Sequence, residues 1–304
     1  MDGRTDFVSS ELMKIIRAES AGFCWGVERA IEIARSFADG GKRRVYSDGP
    51  LIHNSQMMTR LKDEGICELA ECGDNQPDKN GVIVVRAHGI SPERRDFLKN
   101  AGLEFRDATC PDVGIVAGKI RKYARQGYST VIFGDRNHPE VIGLLGYAEG
   151  RGFPVQSKTD IDALPPLGEK ICMVSQTTMF SDDFAELAGY LKKKSPDLVV
   201  VDTICGATKA RQKDVADLVK KGAQAIVVIG GHHSANTCKL ADLARRSGLP
   251  TFHIETAADL NLGDFKTFET VGVTAGASTP EFLIAEVCDK LTKEQPVPRS
   301  QPGK

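Results

Sequence analysis

VVVDTIC, residues 199–205, is a β-branched run that stops on a cysteine, and it has two counterparts in the chain: KIIRAESAGFC at 14–24 and EFRDATC at 104–110. Short apolar runs of this kind read as buried strands. Helical periodicity follows the cysteines, as in VERAIEIARSFA (27–38) after Cys24 and TKARQKDVADLVKK (208–221) after Cys205. A second strand and a polar loop come next: LIHNS from Leu51, RNHPE from Arg136 and HHSAN from His232. These loops set His53, His138 and Ser234 at 29, 28 and 29 residues beyond Cys24, Cys110 and Cys205. A further strand, polar turn and helix complete each repeat at RAHGISPE, SQTTMFSDD and TAGASTPE. The turns put His88, Thr177 with Thr178, and Ser278 at 64, 67 and 73 residues past the respective cysteine, counting the middle one to Thr177. Runs such as VIVVRA (82–87), TVIFG (130–134) and AIVVIGG (225–231) alternate with amphipathic segments throughout. Such alternation means parallel sheets covered by helices. The expected fold class is α/β, with three related small domains of mainly parallel sheet in a pseudo-threefold arrangement. The expected units are residues 12–107, 108–202 and 203–290, and the Pro-rich, charged residues 291–304 read as a disordered tail.

Composition limits what such a chain can do. Its 304 residues exceed what a single core usually holds. Forty Lys and Arg balance 41 Asp and Glu, which argues against a nucleic-acid or anionic-membrane partner drawn by bulk charge. The KKK at 192–194 reads as a solvated helix end. No apolar stretch approaches the roughly 18 residues of a membrane span, and the opening MDGRTDFVSSE lacks the order of a signal peptide. A cytoplasmic protein is expected, with its eight cysteines reduced. None of them forms a CxxC pair, which weakens zinc-finger and thioredoxin readings.

Ligands of open parallel sheets bind at the carboxyl ends of the strands, where all the repeated residues fall. Three units about an axis would gather Cys24, Cys110 and Cys205 and ring them with three polar loops and three polar turns. Cys67, Cys72, Cys172, Cys238 and Cys288 have no repeated place and read as packing or surface residues. Thiolates select soft or sulfide-bearing centres, and iron–sulfur clusters commonly take four cysteines. Three leave one iron open to substrate, so a central [4Fe–4S] cluster leads. The rivals are a zinc-dependent hydrolase of a phosphorylated metabolite and a non-catalytic iron–sulfur electron carrier. Read by itself, Glu140 could cap the helix after Pro139. Trp25 is expected to pack beside the thiols and shield them from water.

Taken in order, GFCWGVERA, IHN, RAHG, DATCP, NHPEV, QTT, ICGATKARQ, SAN and TAGASTPE resemble the 4-hydroxy-3-methylbut-2-enyl diphosphate reductases, the terminal enzymes of the methylerythritol phosphate isoprenoid pathway, from about Ala21 to Glu281. The resemblance implies an oxidoreductase that takes two electrons and two protons and removes the C4 hydroxyl of its substrate as water, yielding isopentenyl and dimethylallyl diphosphates. It assigns the [4Fe–4S] cluster to Cys24, Cys110 and Cys205. It assigns the diphosphate to His53, His88, His138, Ser234, Asn236 and Ser278, and the hydroxymethyl end to Glu140, Thr177 and Thr178, with Glu140 delivering protons through Thr178. An electron donor protein such as ferredoxin or flavodoxin is implied. The chain departs from the family pattern at Ala235, at DATCPDVGIV, which lacks a Thr-Lys after the cysteine, and at Gly206.

Overall fold

The structure is a computed structural model and describes residues 13–71 and 78–293. The chain runs β1 (Lys14–Arg17), α1 (Trp25–Ala38), β2 (Val45–Ser47), α2 (Ser55–Asp63), β3 (Ile66–Glu68), β4 (Val82–Val85), α3 (Pro92–Lys99) and β5 (Glu104–Asp107). It continues α4 (Pro111–Ala124), β6 (Ser129–Phe133), α5 (Pro139–Leu145), β7 (Gly152–Val155), α6 (Lys158–Asp162), β8 (Ile171–Ser175), α7 (Ser181–Lys194) and β9 (Val199–Val200). The last elements are α8 (Gly206–Lys220), β10 (Ala225–Ile229), α9 (Ala235–Arg246), β11 (Thr251–Ile254), β12 (Thr270–Ala275) and α10 (Glu281–Thr292).

Three four-stranded sheets result, ordered β3-β2-β4-β5, β7-β6-β8-β9 and β11-β10-β12-β1. Every pairing in them is parallel. The central strands are buried on both faces, as in the fully buried AIVVI of β10 and STVIF of β6. That explains why they read as unbroken apolar runs rather than as alternating ones. Helices supply the cover through one apolar stripe each: Ala30, Ile31, Ala34 and Ala38 on α1, and Leu283, Ile284, Val287 and Leu291 on α10.

The three sheets share one topology, but the chain is not cut as the repeat suggested. The strand that leads into each cysteine is the fourth strand of a sheet, not the first: β5 closes the β2–β4 sheet before Cys110, and β9 closes the β6–β8 sheet before Cys205. By the same rule β1 belongs to the last sheet. It pairs with β12 from Lys14↔Thr270 to Arg17↔Val273. So β1, placed by sequence at the head of the unit 12–107, completes the sheet of residues 225–275. The physical reason is that β12 is buried along nearly its whole length and must satisfy backbone groups on both of its edges.

Two compact units follow from this pairing. The larger spans Phe23–Lys209 and holds two sheets; the smaller joins the residues up to Gly22 to those from Ala210 onward, and holds the third. The boundary falls inside α8. Cys67 is disulfide-bonded, which corrects the expectation that all eight thiols are reduced. Cys72 and the tail from residue 294, where most of the expected disorder falls, lie outside the described residues, and residues 291 and 292 still belong to α10.

Candidate functional site

In the larger unit each of the three repeated cysteines sits at the start of a helix. Cys24 is the N-cap of α1, its carbonyl accepting from the amides of Val27 and Glu28 at 3.0 Å each. Cys110 is the N-cap of α4. Cys205 immediately precedes α8, and the Thr208 amide and hydroxyl lie 3.4 and 3.1 Å from its Sγ. A helix N-terminus favours negative charge, so each position suits a thiolate. The Cys110 thiol also lies close to the helix that Cys24 caps: a Cβ added to Gly26 would lie 2.5 Å from the Cys110 Sγ. Glycine is therefore the residue that lets the Cys110 sulfur lie against the first turn of α1. Burial pushes the Cys110 thiol up to about 11 and raises that of Cys205, with Cys24 adding to both.

This set of soft donors fits a metal or cluster that replaces the thiol protons. Among the described residues no fourth cysteine joins it. The Cys172 thiol packs 3.3 Å from the Thr130 hydroxyl in the β6–β8 sheet, the Cys238 thiol donates to the His232 carbonyl at 3.0 Å, and Cys288 lies on α10.

Polar groups gather in the loops after β2, β4, β6 and β8. The rings of His53 and His88 are 4.6 Å apart, those of His88 and His138 5.4 Å, and those of His53 and His138 6.0 Å. One nitrogen from each lies within 4.8 Å of the other two. That spacing could suit either a cation or an anion, and the hydrogen bond at His138 favours the anion. Its Nδ1 accepts from the Glu140 amide at 3.2 Å, so the neutral ring carries its proton on Nε2 and is a donor there. An N–H suits a phosphate oxygen and cannot ligate a metal. Burial, then the neighbouring His53, His138 and Arg86, holds His88 well below its usual 6.5.

Glu140 is 1 % exposed. Its Oε1 accepts from the Thr177 amide at 2.7 Å and its Oε2 bonds the Thr177 hydroxyl at 2.8 Å. One of the two readings of Glu140 falls away, and one expectation is corrected. The cap of α5 is His138, not Glu140, and the threonine that grips the carboxylate is Thr177. The Thr178 hydroxyl instead accepts from the Gln176 side chain at 2.9 Å. Fully buried Gln176 also accepts from the Asp135 amide at 3.1 Å, tying the loop after β6 to the loop after β8.

The thiols and the polar loops are joined through the backbone. The Cys110 amide donates to the Ala87 carbonyl, beside His88, at 2.9 Å, and the Cys205 amide donates to the carbonyl of Thr177 at 3.0 Å. Trp25 is 63 % exposed, contrary to the shielding expected of it, because the residue after an N-cap cysteine turns outward while Gly26 faces Cys110. Sequence reasoning passed over Gly26, Thr208 and Arg86. Only Thr208 left a signal, as a hydroxyl three residues past an N-cap position, the spacing of a capping contact.

Ser234, Asn236 and Ser278 belong to the smaller unit, after β10 and β12. Ser234 is the N-cap of α9 and accepts from the Thr237 amide at 3.4 Å. The Asn236 Nδ2 is buried with no partner, and Ser278 is buried. Tight backbone supports this end of the sheet: Gly230 has φ +143°, and a Cβ there would meet the hydroxyls of Thr279 and Thr237 at 2.6 and 2.8 Å.

Fold and site together define an enzyme of the parallel α/β class, with thiols, imidazoles and a held carboxylate at the carboxyl ends of its strands. The chain belongs to the LytB protein family, which matches residues 15–292. A 4-hydroxy-3-methylbut-2-enyl diphosphate reductase of Opitutus terrae is 64 % identical over 290 residues, covering 92 % of this chain and 99 % of that protein. The protein of the same name from a Thermoanaerobacter species is 41 % identical over 280 residues, covering 92 % and 96 %. Among solved structures, the (E)-4-hydroxy-3-methyl-but-2-enyl diphosphate reductase described as the terminal enzyme of the non-mevalonate pathway aligns with a TM-score of 0.69 at 37 % identity, over 93 % of this chain and 100 % of that one. The Plasmodium falciparum E-1-hydroxy-2-methyl-but-2-enyl-4-diphosphate reductase aligns with a TM-score of 0.84 at 31 % identity, over 91 % and 87 %.

Proposed function

We propose that this chain reduces (E)-4-hydroxy-3-methylbut-2-enyl diphosphate to isopentenyl and dimethylallyl diphosphates. The allylic C–O bond breaks, the oxygen leaves as water, and two electrons and two protons are consumed. The observation that carries the reading is the buried Glu140 carboxylate, gripped at both oxygens by Thr177 two residues from an imidazole of the histidine cluster. A buried carboxylate beside an anion-binding group is suited to hold and release a proton. Cys24, Cys110 and Cys205 would hold a [4Fe–4S] cluster, which when bound supplies the electrons and an open coordination position.

The chain's own residues do the rest. His138 donates from Nε2, and His53 and His88 join it on the diphosphate, hydrogen bonds that strengthen when the acceptor is charged. By their correspondence to the family pattern, Ser234, Asn236 and Ser278 of the smaller unit are further candidates for diphosphate binding. The proton sits between the Glu140 Oε2 and the Thr177 Oγ1 and passes to the substrate from that hydroxyl. Thr178, fixed by Gln176, contributes a hydroxyl at the substrate's hydroxymethyl end. The electron donor would be a small redox protein of the ferredoxin or flavodoxin type, in the cytoplasm. No helix among the described residues is long and apolar enough to cross a membrane.

The test is anaerobic reconstitution with iron and sulfide, followed by metal analysis and turnover with a reduced viologen dye. Brown protein holding about four irons and yielding both C5 diphosphates supports the reading. Colourless protein that binds zinc and hydrolyses the diphosphate overturns it.

A further inference from the structure

A cavity of about 580 Å³ lies between α3, α4 and α5 in the larger unit, lined along α4 from Val113 to Arg125. The twelve residue steps from Val113 to Arg125, the residue that caps the end of α4, make it about 18 Å long, and its volume is within the range of small-molecule sites. Three independent features set it apart from a packing defect.

The first is its floor. Gly114 and Gly118 lie in the middle of α4, where each glycine costs about 1 kcal/mol relative to alanine. Neither is there to admit a neighbour, because a Cβ added at either position would meet nothing within 4 Å. The other two repeats carry long charged side chains at the same offsets of four and eight from the cysteine, Glu28 and Glu32 after Cys24, and Lys209 and Lys213 after Cys205. The second is charge. Arg121 and Arg125, one turn apart, line the outer end, and neither has a carboxylate partner among the described residues. The cation matching Arg121 on α1, Arg35, is held bidentately by Glu64 at 2.6 and 2.7 Å. Arg95 also lines the cavity but is neutralised by Asp107, and Asp96 is the lining's one carboxylate. The third is at the inner end, where His88 contributes to the wall and its buried Nδ1 has no hydrogen-bond partner. Val113 and Leu144 supply apolar wall between the two ends.

We propose that this cavity binds a small amphiphilic anion, an organic mono- or diphosphate with a short apolar chain, its head on Arg121 and Arg125 and its chain over the glycine floor. Guanidinium pairs recognise phosphate through paired N–H donors, and the glycines leave room for the chain. The head position on Arg121 and Arg125 is separate from the diphosphate position assigned above, although His88 borders both, and it stands whether or not that assignment does.

The experiment is isothermal titration of the cluster-loaded full chain with geranyl diphosphate under anaerobic conditions. Three variants accompany the parent: Arg121→Glu with Arg125→Glu, Gly118→Leu, and His53→Ala. Leucine at an open helix position is a better helix former than glycine, so the Gly118 variant keeps the fold while filling the cavity. The expected result is micromolar binding by the parent that weakens at least tenfold in the arginine and glycine variants and persists in His53→Ala. No binding by the parent below about 1 mM, or binding that both cavity variants retain, overturns the proposal. Loss in His53→Ala alone would place the ligand on the histidines, overturning this inference while leaving the proposed function standing.

Discussion

Replacing Glu140 separates what its carboxylate does for the fold from what it does for the reaction. In the parent, Oε1 and Oε2 each bond one group of Thr177, the amide at 2.7 Å and the hydroxyl at 2.8 Å. Glu140→Gln keeps both contacts: the amide oxygen accepts from the Thr177 N–H, and the Nε2 donates to a Thr177 hydroxyl that turns to accept. The stability cost should stay near or below about 1 kcal/mol, the scale of a single neutral hydrogen bond. Glu140→Ala leaves the Thr177 amide and hydroxyl buried without a partner, at about 1–3 kcal/mol each, so this variant should lose roughly 2–6 kcal/mol. Turnover discriminates differently. Glutamine cannot release a proton at neutral pH, and a general acid contributes about 10²–10⁴ in rate, or about 3–5 kcal/mol of barrier. The assays are urea unfolding for stability and viologen-linked turnover, with iron content as a control. A glutamine variant that folds, keeps its iron and turns over within a few-fold of the parent would refute the acid role and leave Glu140 as a clamp on the loop after β8.

Serine in place of Cys24, Cys110 or Cys205 should abolish iron retention on reconstitution, because a hydroxyl is a poor soft-metal ligand, whereas Cys238→Ser should load as the parent does; equal iron contents across the set would dismiss the ligand assignment. Gly26→Ala puts a methyl where the Cys110 Sγ lies at 2.5 Å, so iron content should fall sharply while far-UV circular dichroism stays native, and normal loading would show that the thiols do not need this approach. His88 is held below its unfolded value of 6.5, so the unfolded chain takes up a proton first. Its contribution is complete above pH 6.5 and is lost as pH falls below that value, and urea midpoints between pH 7.5 and 5.5 should drop more for the parent than for His88→Gln. Equal drops would mean that His88 titrates normally in the fold.

The threefold repeat, the parallel α/β class and the three cysteines were legible because each rests on local pattern: buried strands read as apolar runs, and the helix after each cysteine has its own periodicity. The polar loops were legible for the same reason, since a parallel strand always delivers its following loop to one end of the sheet. What only the tertiary structure decided is which neighbour each element meets. The strand at 14–17 carries no mark of its partner, and it joins β12 some 250 residues away because a buried strand needs both edges paired. Thr177 and Thr178 are indistinguishable in QTT, and the backbone after β8 turns the first onto Glu140 and the second onto Gln176. That His138 carries its proton on Nε2 follows only from the meeting of its Nδ1 with the Glu140 amide, and Trp25 looked like a shield until the geometry of α1 turned it to solvent. Periodicity fixes which face of an element is apolar; the contacts that assign chemistry to a side chain depend on packing between segments far apart in the chain, and a single sequence does not write these down.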